Sequence, residues 1–298
     1  MRYQDKGFEV SFNRDIRYGE GGIHHGTTSS TLPLMLDFYE PRDEPSQSPR
    51  PALILAFGGA FHRGSKETDG FEVEGRCNTS IAAYCHTFAR RGYATFSIDS
   101  RLVQEDPDPG TTPTILDAAA IPRSRVDAVR QLLGLPPATA GMLHAGIEAA
   151  CDDMAAAFGF VSAQADRFRI DRSRIAIGGF SAGARTALGA AYGERIPAAA
   201  VVSLSGFIVS GDMTRWITPG ATLPPALLVT GEHDLDYIVG QAPAMRDHFA
   251  RLGLAHESWT APGQTHFYRS DCKVVQGDGS SNGLENVIAM FLFRALGL

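Results

Sequence analysis

No stretch of eighteen consecutive apolar residues occurs in this chain, so no segment reads as a membrane-spanning helix. Runs of basic residues are missing too. With 27 Lys plus Arg against 33 Asp plus Glu, the formal charge is −6, which argues against nucleic acid or an anionic membrane as partner. The opening residues, MRYQDKGFEVSFNRDIRYGE, lack the apolar core of a signal peptide. They predict a soluble, cytoplasmic protein.

Cysteine is scarce. Cys77, Cys85, Cys151 and Cys272 show no CxxC spacing, so no zinc site is expected, and in a reducing compartment free thiols are. Cys77 and Cys85 are near enough in sequence to pair, which sequence cannot settle. Asn78-Thr79-Ser80 is a glycosylation sequon that matters only in a secretory pathway. Internal repeats and Pro/Ser-rich linkers are lacking, which leaves one domain over residues 1–298.

Hydrophobic residues make up 44% of the chain, enough for one large core. Short β-rich apolar runs alternate with helical patterns, which predicts a mostly parallel sheet with helices on both faces. The strand candidates are Ala52–Phe57, Ala94–Asp99, Arg174–Gly178, Ala199–Ser205 and Ala226–Thr230, with His256–Ala261 near one edge. Helices are expected over Ile81–Arg91, Gly146–Phe168, Ser181–Tyr192, Pro243–Leu252 and Leu284–Leu296. Phe8–Phe12 and Leu34–Tyr39 alternate like antiparallel strands, with Gly19–Thr31 between them as an exposed loop. The long segment Gln104–His144, with a helix near Ser124–Leu133, predicts a partial cap over the site.

Gly179-Phe180-Ser181-Ala182-Gly183 fits G-x-S-x-G, and it lies between the strand RIAIG and the helical run ARTALGAAY. That strand–turn–helix setting presents a nucleophilic serine at a helix N-terminus, with small neighbours that let the backbone turn sharply. A serine hydroxyl needs a base, and the base needs an orienting acid. In chains with this turn the acid and then the histidine follow the serine. Asp234 follows the strand PALLVT, and His266 follows HESWTA, so both would stand at C-terminal strand ends. Asp236 and Glu232 are weaker candidates for the acid. His24, His25, His62, His86, His144, His233, His248 and His256 fit the order or the loop less well. Gly58-Gly59-Ala60-Phe61 offers free backbone N–H groups after a strand, and Ala182 adds another, together an oxyanion hole.

At these residues the chain resembles a bacterial carboxylesterase of the α/β-hydrolase superfamily, in the branch of feruloyl-esterase-like and hormone-sensitive-lipase-like enzymes. Tyr18-Gly19, Leu36-Asp37-Phe38-Tyr39-Glu40-Pro41, Gly64-Ser65, Ile98-Asp99-Ser100-Arg101-Leu102 and Asp171 through Gly183 carry the likeness with the motifs above. The resemblance implies the α/β-hydrolase fold and a triad of Ser181, Asp234 and His266. Gly59, Ala60 and Ala182 would donate to the oxyanion. Phe57 stands where many such proteins have a histidine, so it would shape an apolar wall instead.

The chemistry implied is ester hydrolysis through an acyl-enzyme, with no metal and no organic cofactor and with a small or medium ester as substrate. Activity would fall in acid as His266 takes up a proton. Phe61, Phe180, Phe207 and Phe267 are the candidate pocket residues. Amidase, lactonase or acyltransferase activity could use the same groups, and a silent binding protein could keep the fold. A homodimer is compatible with this fold.

Overall fold

The computed structural model describes residue 3 and residues 5–42, 48–73 and 75–298. A long antiparallel hairpin, β1 (Glu9–Ile23) and β2 (Ser30–Arg42), opens the chain. β3 (Arg50–Ala56) follows, then a two-stranded ribbon of β4 (Glu72–Val73) and β5 (Arg76–Cys77). The remaining strands are β6 (Ala94–Ile98), β7 (Ile170–Phe180), β8 (Ala200–Leu204), β9 (Ala226–His233), β10 (His256–Thr265), β11 (Lys273–Val275) and β12 (Ser281–Gly283). The main sheet runs β1-β2-β6-β3-β7-β8-β9-β10-β11-β12. It is parallel from β6 to β10 and antiparallel at both edges.

Helices cover both faces. Every residue of β3 is buried, and its side chains alternate between two cores. Leu53 and Leu55 pack with α1 (Ile81–Arg90) and with α8 (Leu284–Ala295), the last helix of the chain. Ala52, Ile54 and Ala56 share a core with α3 (Ala140–Ala163), the one-turn α4 (Ala165–Phe168) and α5 (Ala182–Leu188). The same core takes in α6 (Ser210–Trp216) and α7 (Asp236–Arg251). Such two-sided burial is why the central strands read as unbroken apolar runs. Local chemistry sets several ends. Ser80 caps α1 by accepting the Ala83 N–H, and Thr139 caps α3 by accepting that of Met142.

Four boundaries depart from expectation, each for a tertiary or local reason. Most of Gly19–Thr31 is strand, not loop. Gly21 admits the Arg101 side chain against it, and Arg101 Nη1 donates to the Gly22 carbonyl at 3.2 Å. The Thr139 cap starts α3 six residues before Gly146. Past Leu188, α5 widens into a π-helical turn, Gly189–Gly193, where the glycines sit against Cys151 and Trp216. Pro243 lies inside α7, not at its first turn. It forgoes one N–H bond, to the carbonyl of Val239, and Val239 lies on the exposed face where water can serve.

Residues 104–144 hold α2 (Ser124–Leu132), a 3-10 turn over Ala118–Ala120, the end of another that begins at Val103, and the first residues of α3. Buried carboxylates fasten the segment down. Glu148 accepts the N–H groups of Thr114 and Ile115, and Asp212 accepts that of Leu116. Among the described residues no helix is long and apolar enough to cross a membrane. All four cysteines are free thiols.

Candidate active site

Ser181 follows β7 and occupies the N-cap position of α5, with φ 54° and ψ −114°. A left-handed φ is strained for a residue with a side chain, and the flanking glycines make it feasible. A Cβ on Gly183 would lie 2.1 Å from the Ala56 carbonyl oxygen, and one on Gly179 would lie 2.5 Å from the Gly183 backbone. Neither position has room for alanine. The turn is further pinned by the Ser181 N–H, which donates to the Leu204 carbonyl at 2.8 Å.

His266 follows β10, and Asp234 follows β9. Ser181 Oγ lies 2.8 Å from His266 Nε2, and His266 Nδ1 lies 2.6 Å from Asp234 Oδ1. Because an ionised carboxylate only accepts, Nδ1 carries the proton and Nε2 is left to accept from the serine. Asp234 is itself held at both oxygens. Oδ1 also accepts the Leu235 N–H at 2.8 Å, while Oδ2 accepts the Gly231 N–H at 3.1 Å and the Ser205 hydroxyl at 2.5 Å. Tyr268 Oη is 2.9 Å from Ser205 Oγ.

The competing acids and histidines stand elsewhere. Asp236 is exposed at the start of α7, and Glu232 is exposed and accepts the Gly263 N–H. His233 is exposed, His248 bonds the Ile217 carbonyl, and His256 bonds that of Leu254.

The loop after β3 takes an uncommon path. Gly59, Ala60 and Phe61 have φ of 124°, 58° and 60°. At Gly59 only glycine fits, since a Cβ would meet the Arg63 carbonyl oxygen at 1.9 Å. Among the described residues no acceptor is matched to the N–H of Gly59 or Ala60. Ala182 occupies the first turn of α5, whose N–H groups lack a side-chain cap. Ala60 and Ala182 border the same pocket as Ser181, whereas Gly59 is not part of its lining.

Two buried groups brace this loop. Asp69 accepts the Gly58 N–H at 3.2 Å and the Ile81 N–H at 2.7 Å. Burial pushes its carboxyl up to about 6, against the pull of those two N–H groups. His62 bonds the Ala60 carbonyl through Nδ1 at 2.7 Å and receives Arg130 Nη1 on Nε2 at 3.0 Å. Burial lowers its pKa. Phe57 forms no pocket wall; it packs into the core beneath the sheet, and bracing falls to Asp69 and His62. Asn78 is likewise engaged inside, with Oδ1 on the Phe71 N–H and Nδ2 on the Asp69 carbonyl.

The pocket beside Ser181 is mostly apolar. Phe61 and Phe207 line it, with Ile121, Val126 and Leu143 from the 104–144 segment. Phe180 and Phe267 instead flank the His266 ring, at 5.2 and 5.3 Å between centroids. The free space is small. The cavity has a volume of about 30 Å³. Two arginines, Arg125 and Arg185, also border it.

Sequence reasoning missed Ser205, Tyr268, His62, Asp69 and both arginines. Only Ser205, at the end of a predicted strand, carried a local signal. Three carboxylates that could hold a cation, Asp15, Asp37 and Glu67, surround the ammonium of Lys66 at 2.8, 3.1 and 3.2 Å. That cation already occupies the cluster.

The BD-FAE family model matches residues 142–198, from α3 through the serine turn and α5 to the loop before β8. No curated protein matches the chain. Solved structures do. Esterase 2 of Thermogutta terrifontis, phosphorylated by paraoxon, is 17% identical with a TM-score of 0.58, over 97% of this chain and 94% of that one. MGS-M1, an α/β-hydrolase enzyme from a Medee basin deep-sea metagenome library, is 14% identical with a TM-score of 0.56, over 99% and 100%. Esterase B from Lactobacillus rhamnosis (HN001) is 15% identical with a TM-score of 0.53, over 88% and 78%. At such identities the likeness is one of fold, and it agrees with the sheet described above: this chain has the α/β-hydrolase fold.

Proposed function

We propose that the protein is a serine hydrolase that cleaves carboxylic esters of small or medium size. The observation that carries this reading is the hydrogen-bonded chain from Ser181 through His266 to Asp234, with the serine on a strained turn at a helix N-terminus. His266 takes the Ser181 proton as Oγ attacks the ester carbonyl. The oxyanion then accepts N–H groups of Ala182 and of the Gly59-Ala60 loop. Losing one such donor costs roughly 3–4 kcal/mol of transition-state stabilisation.

His266 next gives the proton to the departing alcohol. Water, activated by the same nitrogen, releases the acid and frees the serine. Asp234 keeps the proton on Nδ1 and stabilises the imidazolium. The reaction as written calls for no metal and no organic cofactor. The small pocket suits a short acyl group, and the T. terrifontis esterase has been solved with propionate and with butyrate bound. Residues 104–144 act as a partial cap in this reading. Free thiols suit a cytoplasmic setting.

The test is labelling by a fluorophosphonate probe, wild type beside Ser181→Ala, followed by hydrolysis of a short acyl-ester panel. Labelling that vanishes in the variant, with ester turnover in the wild type, is expected. Wild-type protein that is folded yet neither labels nor hydrolyses would move a silent binding protein to the front. Faster turnover of matched amides, or acyl transfer to an added alcohol, would reassign the reaction but keep the nucleophile.

A further inference from the structure

The pocket beside Ser181 holds more positive charge than ester hydrolysis uses. Arg125 on α2 and Arg185 on α5 both border it. Acyl transfer to serine relies on N–H donors and a neutral imidazole, and no guanidinium takes part. Setting two of them in a mostly apolar wall is costly, because burial removes their water.

Internal partners meet that cost only in part for Arg185, which also lies over the Phe207 ring at 4.8 Å, and least for Arg125. Arg185 is 2% exposed; its Nη1 reaches the Phe207 carbonyl at 3.3 Å, and its Nη2 lies 3.7 Å from Asp212 Oδ2. Its Nε and Nη2 make no hydrogen bond among the described residues. Asp212 meanwhile spends Oδ1 on the Leu116 N–H at 2.7 Å. Arg125 is half-buried and has neither a carboxylate nor a hydrogen-bond acceptor among the described residues. Its guanidinium lies over the Phe267 ring, 5.1 Å from the centroid, on the residue next to His266. Stacking occupies a guanidinium's face and leaves its in-plane N–H donors available. Arg63, close by, adds a third positive charge that acts on Arg125.

We propose that the natural substrate is an ester bearing a carboxylate, which Arg125 binds in the Ser181 pocket with Arg185 behind it. This rests on the serine-esterase reading and names its substrate class. A carboxylate matches a guanidinium's paired donors and supplies the counter-charge that Arg125 lacks among the described residues. The small free space limits the substrate to a short chain, either the monoester of a short diacid or an acyl ester of a short hydroxy acid. Bond changes are those of ordinary hydrolysis. Ser181 Oγ joins the acyl carbon, the ester C–O bond breaks, His266 protonates the alcohol, and water releases the acid.

Two matched pairs test it, followed by proton release. Monomethyl succinate against methyl butyrate places the charge on the acyl side, and acetoxyacetate against propyl acetate places it on the alcohol side. In one pair wild-type protein should favour the charged ester by about tenfold or more in kcat/KM. Arg125→Gln should bring that ratio near one, and Arg125→Lys should leave part of it. Inhibition of neutral-ester hydrolysis by free dicarboxylate adds a readout that needs no variant, with succinate expected to compete better than butyrate.

Equal or reversed preference in both pairs overturns the inference, and so does a preference that survives Arg125→Gln. Either result leaves the serine-esterase reading standing so long as neutral esters turn over. Absence of turnover and of fluorophosphonate labelling together would overturn that reading as well.

Discussion

Nε2 of His62 lies 3.0 Å from Nη1 of Arg130, so a histidine of the loop after β3 and an arginine of α2 tie that loop to the segment bordering the pocket. The other ring nitrogen donates to Ala60. Only the neutral imidazole can serve both contacts, because Nε2 must accept.

This tie should depend on pH. Burial holds the His62 pKa below its ordinary 6.5. An unfolded chain therefore binds this proton more readily than the folded one, and the stability concerned is present above 6.5 and lost as pH falls below it. His62→Gln, whose amide can also donate and accept, should show a flatter decline of Tm between pH 6.5 and 5 than wild type. Parallel declines would mean that His62 does not control the segment.

Asp69 should act in the opposite sense. Its carboxyl is raised from 3.8 to about 6 by burial, so the folded chain binds this proton more readily. The stability it contributes is present below 4 and lost as pH rises through 6. Measured against Asp69→Asn by denaturant unfolding, the wild-type advantage should shrink by up to about 3 kcal/mol from pH 4 to pH 7. A constant difference would show that Asp69 is ionised throughout.

Ser205 positions Asp234 by donating its hydroxyl to Oδ2. Removing its hydroxyl takes away a hydrogen bond to a carboxylate, worth about 1.5–3 kcal/mol. Ser205→Ala should lower kcat about tenfold on a short ester, with KM little changed. Unchanged kcat would show that the Gly231 and Leu235 N–H groups hold Asp234 well enough alone.

Glycine positions should divide by what stands in front of them. Gly183→Ala pushes a methyl into the Ala56 backbone, which cannot yield, and should cost more than about 3 kcal/mol or abolish soluble expression. Gly159→Ala, on an exposed turn of α3 with nothing within 4 Å, should stabilise by about 0.5–1 kcal/mol. Urea unfolding of the pair checks both signs, and similar effects at the two sites would contradict the close approach at the serine turn.

Ser181, Asp234 and His266 were legible because each combines a local pattern with a position after an apolar strand. Chain order, with the requirement of a loop after the last strand, then reduced nine histidines to one. Gly19–Thr31 misled, because polar and glycine residues in a half-exposed hairpin leave no alternation to read. Strand pairing and the approach of Arg101 make that segment regular, and both come from far along the chain.

The sequence by itself determined the alternation of strand and helix, the turn that presents Ser181 and the order of the three linked side chains. These follow from near-neighbour chemistry: periodic apolar residues, small residues at a sharp turn, and caps at helix starts. Tertiary structure alone decided that Ser205 would hold Asp234, that His62 would meet Arg130, and that Arg125 and Arg185 would face one pocket. Arg125 and Arg185 are separated by 60 positions in the chain. No local periodicity encodes such a meeting, since only the path of the folded chain brings α2 and α5 to one pocket.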